Sequence, residues 1–135
     1  MIRFIAAVLF LVALAPPAAP AATCMGPNPA IGPVAVKSVT NDGGTSEYHL
    51  AGTVTNLGSV GQPSNTLQFV DIYVDRVKLD DRGIPPLAPG QSYTFGYTFV
   101  RSADAGNGTT TVHFRVRMVQ GADCNPANGV NSVTF

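Results

Sequence analysis

Tryptophan is missing from this chain, cysteine and histidine occur only twice each, and Asp, Glu, Lys and Arg together make up 12% of it. Each shortage closes off a class of function. Two cysteines with no histidine beside them make a poor zinc site. Eight basic side chains balance eight acidic ones without forming a basic cluster, so nothing is available to neutralise a nucleic-acid backbone. No segment has the composition of a basic amphipathic helix, which removes the usual means of lying on a membrane surface. There is no G-x-S-x-G, no glycine-rich phosphate loop, and no serine with an adjacent base. The parts of an active site are absent, and neither an enzyme nor a cofactor is expected.

A long membrane-spanning run is also lacking. Met1-Ile2-Arg3 carries one positive charge, and an unbroken apolar stretch follows from residue 4 to residue 15. That is about a dozen residues, where a spanning helix needs ~20. Pro16-Pro17-Ala18-Ala19-Pro20-Ala21-Ala22 then breaks any helix with small residues. A basic start, an apolar centre and a small-residue end are the order of a secretory signal. Ala19 and Ala21 occupy the two positions that a signal peptidase reads. Residues 1–21 are therefore expected to be removed, by cleavage after Ala21 or Ala22, leaving residues 22–135 as one domain of ordinary size. A retained anchor is the alternative, while Thr23 disfavours lipid attachment at Cys24. The expected location is extracytoplasmic, secreted or periplasmic, with no stable membrane span after cleavage. Loss of Arg3 leaves seven basic side chains against eight acidic ones.

In an oxidising compartment an even cysteine count suggests a bridge, here between Cys24 and Cys124. Closing a loop of about 100 residues would stabilise the domain by up to ~4–5 kcal/mol on the chain-entropy account. Two free thiols are the alternative.

What is plentiful is strand pattern. Tyr48, Leu50, Gly52 and Val54 alternate with polar or small residues. So do Val70, Ile72 and Val74; Tyr93, Phe95, Tyr97 and Phe99; and Val112, Phe114, Val116 and Met118. Each series puts one face on a core and the other toward water. Asn41-Asp42-Gly43-Gly44, Asn56-Leu57-Gly58, Pro85-Pro86-Leu87-Ala88-Pro89-Gly90 and Asp104-Ala105-Gly106-Asn107-Gly108 separate them. Further strands near residues 34–39, 77–79 (short) and 130–135 bring the total to about seven, the signature of an all-β antiparallel sandwich. Phe69 and Phe114 are expected to face the aromatic run of residues 93–99 across the core. Seven alternating strands also return residue 124 to the end where residue 24 starts, in keeping with the bridge.

Candidate functional residues are few. His49 and His113 both fall on the polar face of a strand, without carboxylates at ligand spacing. Asp71, Asp75, Asp80 and Asp81 are the one acidic concentration, but calcium needs about six to eight oxygens and a shaped loop. Asp71 and Asp75 read as strand residues, and Asp80-Asp81-Arg82-Gly83 as a solvated turn with its own countercharge; no metal site is expected. His113, Arg115 and Arg117 form a short positive stripe on one strand face, the candidate binding face, with Tyr73 or Thr94/Thr98 beside it depending on strand order. It could dock an acidic glycan or a protein.

Several segments resemble the cell-adhesion-related domain found in bacteria (CARDB), an immunoglobulin-like module of exported prokaryotic proteins. Val54-Thr55-Asn56-Leu57-Gly58 is similar to its V-x-N-x-G signature, and Leu87-Ala88-Pro89-Gly90-Gln91-Ser92 to its L-x-P-G-x-S/T turn. Val70-Asp71-Ile72-Tyr73-Val74-Asp75 and Val112-His113-Phe114-Arg115-Val116-Arg117 correspond to its central strands. The likeness covers roughly residues 34–135. The tail from Asp123 to Asn131 keeps the family's asparagines but has no glutamate. The resemblance implies an immunoglobulin-like sandwich that binds or adheres through an unknown protein or glycan ligand, with no catalytic residues. A second reading is a small secreted inhibitor or assembly subunit that pairs through a sheet edge, using the last strand.

Overall fold

The computed structural model describes residues 25–104 and 108–135; residues 1–24, with the expected signal segment and Cys24, lie outside the described residues. Among the described residues there are eight strands, β1 (Pro29–Ile31), β2 (Ala35–Asp42), β3 (Thr45–Asn56), β4 (Leu67–Val74), β5 (Val77–Ile84), β6 (Ser92–Ser102), β7 (Thr111–Gln120) and β8 (Val130–Thr134), with one 3-10 turn at Pro126–Asn128. All pairings are antiparallel. In the first sheet, β6 lies along one edge of β3, while β1 and β2 share the other edge. β1 and β2 are one strand interrupted at Gly32-Pro33, where proline has no N–H for the ladder. The eight segments thus make a seven-stranded sandwich. The second sheet runs β5-β4-β7-β8.

The alternation dictates the core. Leu50 and Val54 from β3, Val70 and Ile72 from β4, Phe95 from β6, and Val112 and Phe114 from β7 are all buried. Phe95 and Phe114 meet across it with ring centroids 5.6 Å apart. Phe69 does not join them. It follows Gln68 and precedes Val70, both inward, so the pleat turns it to the outer face, where the Arg117 guanidinium lies 4.8 Å from its ring.

One end of the sandwich is closed by aromatics. Tyr48 stacks on Phe135 at 4.2 Å, Phe99 meets Phe135 at 5.8 Å, and Arg101 covers the Tyr48 ring while donating to its hydroxyl at 2.8 Å. The other end is closed by polar groups. Asn56 is fully buried; its Oδ1 accepts from the N–H groups of Asn28 and Gly58, and its Nδ2 donates to the carbonyls of Val60 and Leu87. Gly58 is obligatory here, because a Cβ would collide with the Gly26 carbonyl oxygen. Gly90, at φ 75°, completes the Pro89-Gly90 turn and donates its N–H to the Asn56 carbonyl at 2.7 Å.

Two local expectations are corrected. Asp80-Asp81-Arg82-Gly83 is not a turn but the second half of β5, a strand of eight residues. Asp75 is not on a strand: it forms the two-residue β4–β5 turn with Arg76, at φ 49° and 66°.

Candidate binding face

The residues that alternate away from the core form the outer face of the second sheet. Strand register sets their neighbours. His113 lies opposite Tyr73 on β4 and Ser132 on β8; Arg115 lies opposite Asp71 and Val130; Arg117 lies opposite Phe69. Tyr73 is therefore the residue beside the stripe. Thr94 and Thr98 belong to β6 in the other sheet and are not.

Asp71 divides this face in two. It is only 2% exposed although its side chain points outward. Arg117 binds it bidentately, Nε 2.7 Å from Oδ2 and Nη2 3.1 Å from Oδ1, and Lys78 Nζ lies 2.9 Å from Oδ1. Burial alone would push this carboxyl up; hydrogen bonds from Arg117 and then Lys78 outweigh it and hold the group below the ordinary carboxylate range. Lys78 also binds Asp81 at 2.8 Å, and Arg117 reaches the same carboxylate at 3.6 Å. Two cations and two carboxylates thus satisfy one another, and Arg117 is neutralised within the domain.

Arg115, His113 and Arg76 differ. All three are exposed, and their side chains make no hydrogen bond or ion pair with any described residue. Together with Tyr73, Asp75, Thr109, Thr111 and Ser132 they line an open depression of about 840 Å³. A second depression of about 400 Å³ adjoins it, lined by Asp71, Arg117, Met118, Asp123 and Pro126; Tyr73 and Arg115 line both. In the second, burial pushes the Asp123 carboxyl up, against an opposing hydrogen bond from the Asn125 N–H. Arg76 is a contributor that the strand pattern did not mark. Its two-residue spacing between Val74 and Val77 is a hairpin signal, obscured because Asp-Arg stands where Asn-Gly is usual.

The other candidates fall elsewhere. His49 is on the outer face of the first sheet, its Nδ1 3.1 Å from Thr98 Oγ1, away from His113. Asp80 is bound by Arg82 at 2.7 Å, and Arg82 Nε in turn donates to the Gly96 carbonyl on the outer edge of β6. The four aspartates do not converge, and among the described residues no three His, Cys, Asp or Glu side chains are grouped to hold a metal ion. Cys124 lies beside the start of the described chain: its N–H donates to the Pro27 carbonyl at 2.9 Å, and its Sγ is 3.4 Å from the Gly26 oxygen. Its expected partner, Cys24, is outside the described residues. No helix among the described residues is long and apolar enough to cross a membrane.

Two antiparallel sheets packed face to face, with a sandwich core and a polar outer face, define an immunoglobulin-like β-sandwich. More narrowly, the fold is that of the CARDB domain. A crystal structure of a CARDB domain from Pyrococcus furiosus in complex with di-metal ions has a TM-score of 0.59 to this chain, at 18% identity over 84% of this chain and 90% of that one. A solution structure of the Pyrococcus domain gives 0.56 at 20% identity, over 82% and 94%. A domain from a candidate cell surface protein of Methanosarcina acetivorans gives 0.58 at 16% identity, over 82% and 91%. No protein-family model matches the chain, and no curated protein matches it in sequence. In this chain Asp71 is engaged by Arg117 and Lys78, and Asp80 by Arg82.

Proposed function

We propose that this chain is an exported, non-catalytic binding module that holds an anionic partner on the outer face of its β5-β4-β7-β8 sheet. One observation carries the reading. Of the cations on that face, Lys78 and Arg117 are matched by Asp71 and Asp81, whereas Arg76 and Arg115 are unmatched and line one depression with His113 and Tyr73. Exposed cations without counterions cost nothing in water, and a bound anion is the group that would use them. The export signal in residues 1–21, and a fold shared with a domain of a candidate cell surface protein, favour an extracytoplasmic place of action. A Cys24–Cys124 bridge belongs to the same reading, supported by the Cys124-to-Pro27 hydrogen bond three residues from Cys24. The edge-pairing alternative draws on β8, which pairs only with β7, but Val133 and Phe135 pack against the core and tie that strand to its own domain.

Two measurements test the reading. Intact mass of the exported protein is expected to begin at Ala22 or Thr23 and to gain two alkyl groups only after reduction. Retention of Met1, or alkylation without reductant, contradicts export and bridging. On an immobilised dextran sulfate column, the Arg76→Gln/Arg115→Gln double variant is expected to elute at clearly lower salt than the parent. Lys37→Gln, on the opposite sheet, should elute with the parent. Equal effects from both would remove this face from the account.

A further inference from the structure

We infer that the partner is a carboxylated polysaccharide lying along β7, with its carboxylates at Arg76 and Arg115; this rests on the binding reading above. Shape comes first. The two depressions adjoin and share Tyr73 and Arg115, so a ligand longer than one sugar can reach both. From Thr111 to Arg117 the strand alone extends about 20 Å at ~3.3 Å per residue. A single sugar fills a fraction of that length, whereas a chain of several fills it all.

Chemistry narrows the class. Guanidinium forks bind carboxylates bidentately, and two unmatched ones line the groove, Arg76 at the β4–β5 turn and Arg115 where the two depressions meet. Beside them the half-buried Tyr73, its hydroxyl turned to Asp71 Oδ2 at 3.4 Å, offers a ring of the kind on which the apolar face of a sugar packs. Thr109, Thr111 and Ser132 supply further hydroxyls that both donate and accept, the pattern that sugar hydroxyls need. Toward the β7–β8 loop the charge is balanced, with Arg117 held by Asp71, so that stretch suits uncharged parts of the chain.

The test uses galacturonate oligomers of graded length, galactose oligomers as neutral counterparts and polyglutamate, titrated calorimetrically into the purified exported protein. Galacturonate affinity is expected to rise with length until the groove is filled. It should fall at least tenfold in Arg115→Gln and in Tyr73→Ala, and stay near parent level in Tyr73→Phe. Equal binding of the galactose series, absence of any length dependence, or no binding of galacturonate at all overturns the polysaccharide. Polyglutamate binding more tightly than galacturonate, with the same loss in Arg115→Gln, overturns the sugar but leaves the anion-binding face standing. Galacturonate binding that is indifferent to Arg76, Arg115 and Tyr73 substitutions overturns both.

Discussion

Asn56 and Leu87 are 31 residues apart, and the Asn56 side-chain amide donates to the Leu87 carbonyl at 3.0 Å with both residues fully buried. That bond joins the V-x-N-x-G segment to the L-x-P-G segment. The two motifs are therefore halves of one structural knot rather than two separate turns. Replacing Asn56 by alanine strands the buried N–H groups of Asn28 and Gly58 and removes one bond each from the Val60 and Leu87 carbonyls, the latter keeping the Gln62 N–H. The expected loss is about 2–5 kcal/mol, given ~1–3 for each unsatisfied buried group. Gly58→Ala should be as damaging, through the Gly26 carbonyl. Denaturant midpoints measure both.

Acid should act through Asp71. Its folded-state carboxyl is held below the ordinary range, against burial, by Arg117 and Lys78. The stability it contributes is present above the unfolded value of about 3.9 and is lost as pH falls through the depressed folded value. Unfolding curves measured between neutral and strongly acidic pH should show this loss, and Asp71→Asn should flatten it. The same variant is expected to cost about 1–3 kcal/mol at neutral pH, less than a fully buried pair because Lys78 and Arg117 are more than a third exposed. Asp123 has the opposite sign. Its raised carboxyl opposes folding at neutral pH and ceases to do so as the pH drops through that raised value, so Asp123→Asn should raise neutral-pH stability.

The C-terminal aromatic is a core residue by its contacts. Phe135 stacks on Tyr48, meets Phe99 and exchanges backbone hydrogen bonds with Thr110. Phe135→Ala should lose about 2–4 kcal/mol, and deletion of residues 133–135 should unfold the domain. Circular dichroism melts distinguish this from the edge-pairing alternative, in which the deletion abolishes self-association and leaves the melt unchanged.

The β4–β5 turn trades stability against binding. Asp75 and Arg76 both adopt left-handed backbone conformations, the geometry of a type I′ turn that Asn-Gly adopts with least strain. Changing the pair to Asn-Gly should stabilise the domain by about 1 kcal/mol. It should also lower the salt at which the protein leaves dextran sulfate, because Arg76 goes with the strain. A gain in stability with unchanged retention would show that Arg76 takes no part in binding.

Strand alternation made β3, β4, β6 and β7 legible, since each has one face on the core and one in water. Only the start of β5, residues 77–79, was legible, because the run of charge and glycine that follows imitates a turn. What makes it a strand is the match of Asp81 with Lys78 and Arg117, together with the reach of Arg82 to the β6 edge. β1 was missed for a similar reason: three residues beginning with proline carry no periodicity, and only pairing with residues 54–56 defines them. The positive stripe on β7 was visible as His113, Arg115 and Arg117. That Arg117 is spent while Arg115 is free depends on which strand lies alongside, a fact of tertiary pairing.

The most direct test of the account is an amide chemical-shift titration of the exported protein with galacturonate oligomers. Shifts concentrated at Tyr73, Arg76, His113, Arg115 and Ser132, saturating and weakened by added salt, are the predicted result. Shifts confined to the outer face of the β1–β2–β3–β6 sheet, or to the loops alone, would contradict it.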